Sequence, residues 1–156
     1  MLALGDLPAA AGVHFVRLDL LDAGGLEVSR NFYWLAGKGA ADLRALAGLP
    51  MAGLEATSKV ERSGPDATAV RVAVRNPSRH LAMMVQLAVT QGPGGAEALP
   101  VMWDDNYFSL LPGESRELTA RLATSDLGGA TPAVEVGGWN VQTPYECTAL
   151  AMAAGP

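Results

Sequence analysis

The chain has 156 residues, of which 49% are hydrophobic and 17% charged, so it can build the core of one ordinary domain and is not disordered throughout. Its net charge of −5 argues against a nucleic-acid partner, because binding to phosphates needs clustered Lys and Arg side chains. No apolar run reaches the ~18 residues that a membrane-spanning helix needs, which argues against a membrane partner.

Few residues of the chain are suited to metal or redox chemistry. Cys147 is the single cysteine, so an internal disulfide and a multi-cysteine zinc cluster are excluded. His14 and His80 stand in no metal-binding spacing, so we expect them to be structural or solvent-facing and expect no cofactor. Residues 1–12 lack a basic region and contain Asp6, so they are not interpreted as a signal peptide.

The first regular pattern is an alternation of apolar and polar residues, in residues 14–21 and again in 26–35. Residues 22–25 separate the two runs and contain two glycines, which predicts a β-hairpin with a short turn. The apolar positions of the two runs are Val16, Leu18, Leu20, Leu26, Val28, Phe32 and Trp34.

Residues 36–53 differ in character, because Ala, Gly and Leu replace the residues that favour strands. Leu43, Leu46 and Ala47 could lie on one helical face, and Asp42 could cap it. A linker that contains a short helix is the prediction for this segment.

From residue 54 onward, short alternating runs separated by Gly, Pro, Asn or Asp return at regular spacing, which predicts an all-β antiparallel sandwich. The third run should place Leu81, Met83, Val85, Leu87 and Val89 on one face, whereas Arg71 and Arg75 should point outward and form cross-strand ion pairs. Gly137 and Gly138 suggest a bulge or a close backbone approach, and residues 149–156 carry no pattern that demands order. The predicted strands are 54–63, 67–76, 81–91, 99–103, 107–111, 114–122 and 133–141.

The segment WDDNYFSLLPGES, residues 103–115, carries the residue types of a sugar-cleaving site. A glycosidase, however, places two carboxylates on either side of the scissile bond. Asp104 and Asp105 are neighbours, and neighbouring side chains in an extended chain point to opposite faces, so they cannot converge on one atom. We expect Asp104, Asp105 and Asn106 to order a strand corner, with Trp103, Tyr107 and Phe108 packed around it.

The aromatic residues Trp34, Trp103, Trp139, Tyr33, Tyr107 and Tyr145 could form a sugar-stacking surface. Aromatic side chains in a sandwich more often fill the core, and that interpretation is preferred. No catalytic, cofactor-binding or metal-binding residue is predicted. Contact with a sugar or with a neighbouring domain is assigned to Trp103, Asp104, Asp105, Tyr107 and Trp139.

Three stretches resemble a known family: SRNFYWL (29–35), RNPSRHLA (75–82) and above all LPVMWDDNYFSLLPGES (99–115), followed later by GWNV (138–141). Over residues 13–146 the chain is similar to the C-terminal part of bacterial exo-β-D-glucosaminidases of glycoside hydrolase family 2, to which β-mannosidases are related. The resemblance implies an Ig-like sandwich from a long enzyme whose catalytic glutamates lie in a (β/α)₈ barrel. Nothing in this chain matches that barrel, so no catalytic position transfers to it.

The resemblance also suggests a domain organisation. Residues 1–35 would hold a hairpin from the end of a preceding sandwich domain, 36–53 a linker, 54–146 the Ig-like sandwich and 147–156 a tail. The chain is thus expected to be a domain fragment that starts afresh at Met1. The compartment is not determined by the sequence, and a secreted parent enzyme is compatible with it.

Three functional hypotheses remain open. The first is a non-catalytic accessory domain of a family 2 hydrolase that removes glucosamine from chitosan oligosaccharides, with the parent's other domains as partners. The second is a carbohydrate-binding module that holds chitosan-type oligosaccharides through exposed aromatic rings. The third is an Ig-like adhesion or interaction domain that pairs through an edge strand.

Overall fold

A computed structural model describes residues 12–36, 43–64, 66–142, 145–148 and 150–151. The chain divides into two compact units, the hairpin unit Met1–Leu49 and the sandwich unit Pro50–Pro156. Eleven β-strands and two short 3₁₀ helices lie in the described ranges. No helix in these ranges has the length and apolar character needed to cross a membrane.

The hairpin unit contains the predicted β-hairpin. Strand β1 (Val13–Leu21) pairs antiparallel with β2 (Glu27–Ala36) along almost their whole length. Asp22 closes the turn, since its Oδ1 accepts hydrogen bonds from the N–H groups of Gly24 at 2.8 Å and Leu26 at 2.9 Å. An aspartate that binds the backbone just ahead of it is the ordinary chemistry of such a turn.

The register of the hairpin divides its apolar residues between two faces. Arg17 pairs with Phe32 and Phe15 with Trp34, and the rings of Phe15 and Phe32 stack with centroids 5.8 Å apart. The apolar residues of β1 that the alternation identified lie on the opposite face from Phe32 and Trp34. These residues are Val16, Leu18 and Leu20.

Ion pairs join the two strands of the hairpin at Asp19. Its carboxylate accepts hydrogen bonds from Nε of Arg17 at 2.9 Å and Nε of Arg30 at 2.8 Å. Desolvation tends to raise the pKa of Asp19, but the hydrogen bond from Arg30 and the charges of both arginines outweigh it, so that the pKa lies below its usual value. The support that this carboxylate gives to the folded hairpin is therefore present above its unfolded-state pKa, and is lost as the pH falls through the lower folded-state pKa.

The predicted short helix is a single 3₁₀ helix, Arg44–Gly48. The expected apolar face is wrong in part, because only Leu46 is buried, whereas Leu43 and Ala47 are exposed. A helix of one or two turns with three residues per turn cannot align three such positions on one side. The expected cap, Asp42, lies outside the described residues.

The sandwich unit has two sheets with the strand orders β10-β9-β5-β7 and β11-β3-β4-β8-β6. Among the described strands, all pairings are antiparallel except the one between β11 and β3, and an isolated parallel bridge joins Ala52 to Val141. The all-β sandwich predicted from the sequence is therefore confirmed. The strands are β3 Glu55–Arg62, β4 Ala67–Arg75, β5 Ala82–Thr90, β6 Met102–Trp103, β7 Phe108–Leu110, β8 Ser115–Ala123, β9 Ala133–Gly137, β10 Tyr145–Thr148 and β11 Leu150–Ala151.

The core lies between these two sheets and is almost wholly aliphatic. Alternate residues of β4, β5, β8 and β9 are buried, as period-2 alternation requires of strands with one covered face. Phe108 is the aromatic residue of the buried cluster, and Trp103 packs at its margin. Aliphatic members of the cluster include Val70, Val72, Val74, Val85, Leu87, Val89, Leu110, Leu118, Leu122, Val134 and Val136.

A bulge in β5 changes which of its residues face the core. Ala82 pairs with Leu110 and Val85 with Phe108, so Met83 and Met84 together stand opposite one residue of β7. The extra residue shifts the alternation. The prediction of one continuous face is therefore wrong at its beginning, where Ala82 rather than Leu81 or Met83 joins the core cluster, although Met83 is buried as well.

The chain differs from prediction at two further places. The strand expected at 99–103 is limited to Met102–Trp103. A tail was expected at 147–156, with no pattern that demands order in 149–156; residues 147–148 belong to β10 and Leu150–Ala151 forms β11 beside β3. Backbone hydrogen bonds to a neighbouring strand order this segment, although its short run of small residues gives no sequence signal for a strand.

Candidate functional site

The segment after β6 is the corner at which the chain passes from the five-stranded to the four-stranded sheet. Strand β6 pairs with β8, whereas β7 pairs with β5 in the opposite sheet. Asp104 holds the first side of the corner, because its N–H donates to the Thr119 carbonyl at 3.1 Å and its Oδ1 accepts from the Thr119 N–H at 3.0 Å. The side chain thereby extends the ladder between β6 and β8 by one residue.

Asn106 holds the second side of the corner. Its Oδ1 accepts from the N–H of Leu87 and its Nδ2 donates to the carbonyl of Leu87, both at 2.9 Å. The same Oδ1 accepts from the N–H of Tyr107 at 2.9 Å. The amide therefore supplies hydrogen-bond partners for the backbone of β5 beyond the end of β7, and it connects the corner to the four-stranded sheet.

Asp105 has a separate set of contacts. Its Oδ1 accepts from the N–H of Asn106 at 2.8 Å, and its other oxygen pairs with Arg116. The guanidinium of Arg116 in turn lies 4.8 Å from the centroid of the Phe108 ring. Asp104 and Asp105 thus both bind β8, Asp104 at the backbone of Thr119 and Asp105 at the side chain of Arg116, so each carboxylate has its own structural partner and the two are not arranged as a pair flanking a glycosidic bond.

We expect the Asn106→Ala substitution to lower the free energy of unfolding by about 1–2 kcal/mol, because it leaves the N–H and carbonyl of Leu87 without their partner. Urea unfolding followed by circular dichroism measures the change. Gln86→Ala is the matched control, since it removes an exposed amide from the adjacent position of β5. Equal stability of the Asn106→Ala variant and the wild type would show that the corner does not need this amide.

The exposure of the aromatic residues differs from the prediction that they fill the core. Trp103 is half-buried and Phe108 buried, as expected for residues around the corner, but Tyr107 is 58% exposed. Its φ of +58° turns the chain so that Phe108, the next residue, occupies the core position. Trp139, which follows β9, is 56% exposed. Tyr33 and Trp34 of the hairpin unit are exposed as well, and Tyr145 belongs to β10, where side chains lie outside the described residues.

A second surface is the outer face of β3, β4 and β8, which carries an open cavity of about 760 Å³. Its lining includes Lys59 and Thr119, and the predicted ion pairs lie on or beside it. Arg71 pairs with Glu61 at 3.0 Å and Arg75 with Glu55 at 3.5 Å. Exposed pairs of this kind contribute little to stability.

No metal centre is found among the described residues, where no three His, Cys, Asp or Glu side chains come together in a cluster that could hold an ion. The five residues for which the sequence predicted contact with a sugar or a neighbouring domain do not form one group in the structure. Asp104 and Asp105 bind within the corner, and Trp103 packs against the core. Tyr107 and Trp139 are left with exposed rings that can meet another molecule.

Sequence patterns did not reveal two other features of this region. Asn140 appeared only as part of the GWNV stretch, although its buried side chain binds three backbone groups of the sandwich unit. Gly137 and Gly138 were expected to mark a bulge or a close backbone approach; the structure shows a close approach at Gly138, whereas Gly137 has an open position on the outer face of β9. A polar residue inside an apolar strand signal, as in GWNV, is the hint that could have identified Asn140.

Comparison with known proteins shows that this chain resembles members of one protein family. The family model described as the exo-beta-D-glucosaminidase Ig-fold domain matches residues 31–141. Among similar proteins, an exo-beta-D-glucosaminidase of Amycolatopsis orientalis is 35% identical over 88% of this chain, and one of Streptomyces avermitilis is 34% identical over 81%. The chain spans only 15% and 16% of the lengths of these relatives.

Solved structures show the same likeness. The crystal structure of the exo-chitosanase CsxA of Amycolatopsis orientalis superimposes with a TM-score of 0.83 and 32% sequence identity, covering 91% of this chain and 19% of that one. A second structure of CsxA, described under its inhibition by a glucosamine-configured castanospermine and an amino-australine analogue, has the same TM-score and covers 96% of this chain. The resemblance therefore extends through the described fold of this chain and concerns a small part of each larger protein.

Proposed function

The chain belongs to the family of exo-β-D-glucosaminidase Ig-fold domains, and on this premise we propose that it is a non-catalytic accessory domain of a larger glycoside hydrolase. The parent would be an exo-β-D-glucosaminidase that removes glucosamine from chitosan oligosaccharides, and its other domains would be the main partners of this chain. The observation that carries the proposal is the match of an Ig-fold domain model over residues 31–141 of a chain that spans about one-sixth of its relatives.

The chemistry of the described residues supports a non-catalytic role. Hydrolysis of a glycoside needs two carboxyl groups on opposite sides of the bond, with different protonation states. Asp104 is engaged by the backbone of Thr119 and Asp105 by Arg116, so each carboxylate already has a structural partner. Glu55 and Glu61 are paired with arginines on an outer face.

The hairpin unit supports the proposal that other domains adjoin this chain. The family model begins at residue 31, inside β2, so β1 lies outside the matched Ig-fold domain. A single two-stranded hairpin is marginally stable alone, and large apolar side chains are exposed on this one. They are Leu18, Leu20, Leu21, Leu26 and Val28. We assign the hairpin to the end of a preceding sandwich domain that would cover these residues.

The test is a turnover assay on the purified chain with p-nitrophenyl β-D-glucosaminide and p-nitrophenyl β-D-mannoside. We expect no release of p-nitrophenol above that of a buffer blank. The matched control is the Asp104→Asn, Asp105→Asn double variant, which removes the one adjacent carboxylate pair of the corner. Turnover by the wild-type chain that this variant lacks would overturn the non-catalytic role.

A second function, carbohydrate binding, is favoured by one observation. Tyr107 and Trp139 expose more than half of their surface, although the core of the sandwich unit takes up Phe108 and part of Trp103. Aromatic rings with a polar edge are well suited to contact a sugar that has apolar and polar faces. Binding of a chitosan oligosaccharide without its hydrolysis would distinguish this function from catalysis. The same binding measurement would distinguish it from a purely structural role, for which no binding is expected.

A further inference from the structure

Gly137 leaves an open position in the outer face of the four-stranded sheet. The buried side chains of Val134 and Val136 face the core, so alternation places Glu135 and Gly137 on the outer face. A Cβ atom added at Gly137 would meet nothing within 4 Å, and its backbone conformation does not require glycine. The fold therefore does not explain the missing side chain, which leaves a bare patch of backbone.

Two exposed aromatic residues lie near this open position. Gly137 pairs in register with Gln86 of β5. Trp139 follows two residues later and its N–H donates to the carbonyl of Met83 on the same strand at 2.9 Å. Tyr107 directly precedes Phe108, which pairs with Val85 on the other edge of β5. With strands about 4.8 Å apart, Tyr107 and Trp139 lie at opposite edges of β5, about 10 Å apart across the sheet, and Trp139 is displaced along β5 from the level of Gly137 toward Met83.

The backbone at this place adopts conformations that non-glycine residues rarely take. Met84 has a φ of +50° and Tyr107 a φ of +58°, and each directly precedes one member of the Val85–Phe108 pair. They are the two non-glycine residues with positive φ in the described part of the chain. Such strain persists where the surrounding structure enforces it and clusters at binding sites. Here it accompanies the exposure of the Tyr107 ring.

The polar groups beside the open position are acidic and amide side chains. Glu135 stands two residues before Gly137 on the same face and forms no ion pair with any other described residue. Gln86 is exposed and adds an amide that can donate and accept hydrogen bonds.

From this juxtaposition we propose that the surface formed by Gln86, Tyr107, Glu135, Gly137 and Trp139 binds a short β-linked glucosamine chain, whose ammonium groups complement Glu135. The indole of Trp139 takes a sugar ring, the bare backbone at Gly137 provides the space beside it, and Gln86 binds hydroxyl groups. The identity of the sugar rests on the proposed function, because an aromatic surface with a carboxylate would accept other cationic saccharides. The net charge of −5 supports attraction of a polycationic chain.

The test is a titration of the isotope-labelled full chain with β-1,4-linked glucosamine tetramer, followed by backbone amide NMR shifts. We expect saturable shifts centred on Gly137 and Gln86. The Trp139→Ala and Gly137→Val variants should each weaken binding about tenfold or more, the first by removing the ring and the second by filling the open position. Glu135→Gln should weaken binding of the glucosamine tetramer, and it should leave binding of the N-acetylated tetramer unchanged.

Thr57→Val is the matched control, because it alters an exposed position on the outer face of the other sheet. It should bind like the wild type, and urea unfolding should show that every variant is folded. Absence of saturable shifts in the wild type, or full binding by Trp139→Ala and Gly137→Val, would overturn the site. Equal affinity of the wild type for both tetramers would overturn the role of Glu135. None of these outcomes bears on the turnover assay, so the accessory role is tested independently.

Discussion

The Asn140→Ala substitution is expected to lower the free energy of unfolding of the sandwich unit by about 3–5 kcal/mol, the largest effect among the substitutions considered. The buried Asn140 side chain accepts from the N–H of Met83 at 2.9 Å and donates to the carbonyls of Pro50 and Leu81, both at 2.7 Å. Alanine leaves three backbone groups without these partners, and each unsatisfied buried group costs about 1–3 kcal/mol.

The position of Asn140 explains why the effect should be global. Its own carbonyl accepts from the N–H of Ala52 at 2.8 Å, and the next residue, Val141, forms a parallel bridge with Ala52. One residue therefore joins the segment before β3, the start of β5 and the turn after β9. Urea unfolding followed by tryptophan fluorescence and circular dichroism measures the loss, and both signals should change together.

The control for Asn140 is Gln142→Ala, which removes an exposed amide side chain two residues further along the chain. Its stability should stay within about 0.5 kcal/mol of the wild type, as is usual for surface substitutions. A loss of similar size in both variants would mean that the amide network of Asn140 is not the cause.

The neighbouring glycines Gly137 and Gly138 should respond in opposite ways to the same change. A Cβ atom at Gly138 would lie 2.6 Å from Cγ2 of Val141 and 3.1 Å from the carbonyl oxygen of Met83. Val141 is buried and Met83 belongs to the β5 backbone, so neither can move freely. We expect Gly138→Ala to cost about 2–3 kcal/mol, as overpacking of a tight interior does.

At Gly137 the same methyl group meets open space. Alanine also loses less backbone freedom on folding than glycine does, by about 0.5–1 kcal/mol. Gly137→Ala should therefore be neutral or slightly stabilising. Parallel urea unfolding curves of the two variants test the pair, and equal destabilisation of both would contradict the predicted close approach at Gly138 alone. A stable Gly137→Ala variant would show that the fold does not need glycine at this position.

The corner at 103–108 shows what residue types alone could predict and what they could not. Parity alone indicated that Asp104 and Asp105 cannot act on one bond, and turn chemistry indicated that Asn106 would bind backbone. The partners could not be predicted, because Thr119 and Leu87 lie on strands that are distant in sequence and belong to different sheets. Tyr107 was expected to pack, and its left-handed backbone instead exposes it.

The strands of this chain were largely predictable from its sequence. Alternation is a local property of a chain, and it indicated the extents of β1 to β5 and of β7 to β9 to within a few residues. It could not indicate the bulge at Met84 or the short length of β6, since both depend on the strand that lies beside them.

The sequence by itself therefore determined the all-β class, the hairpin, the alternating aliphatic positions that form most of the core, and the separation of Asp104 from Asp105. All of these depend on residue type and on a spacing of two along the chain. The tertiary structure decided which backbone groups Asn140 and Asn106 satisfy, why Gly138 has no room for a side chain, and why Gly137 has room to spare. It also decided which aromatic rings reach the surface, because burial depends on which strands become neighbours.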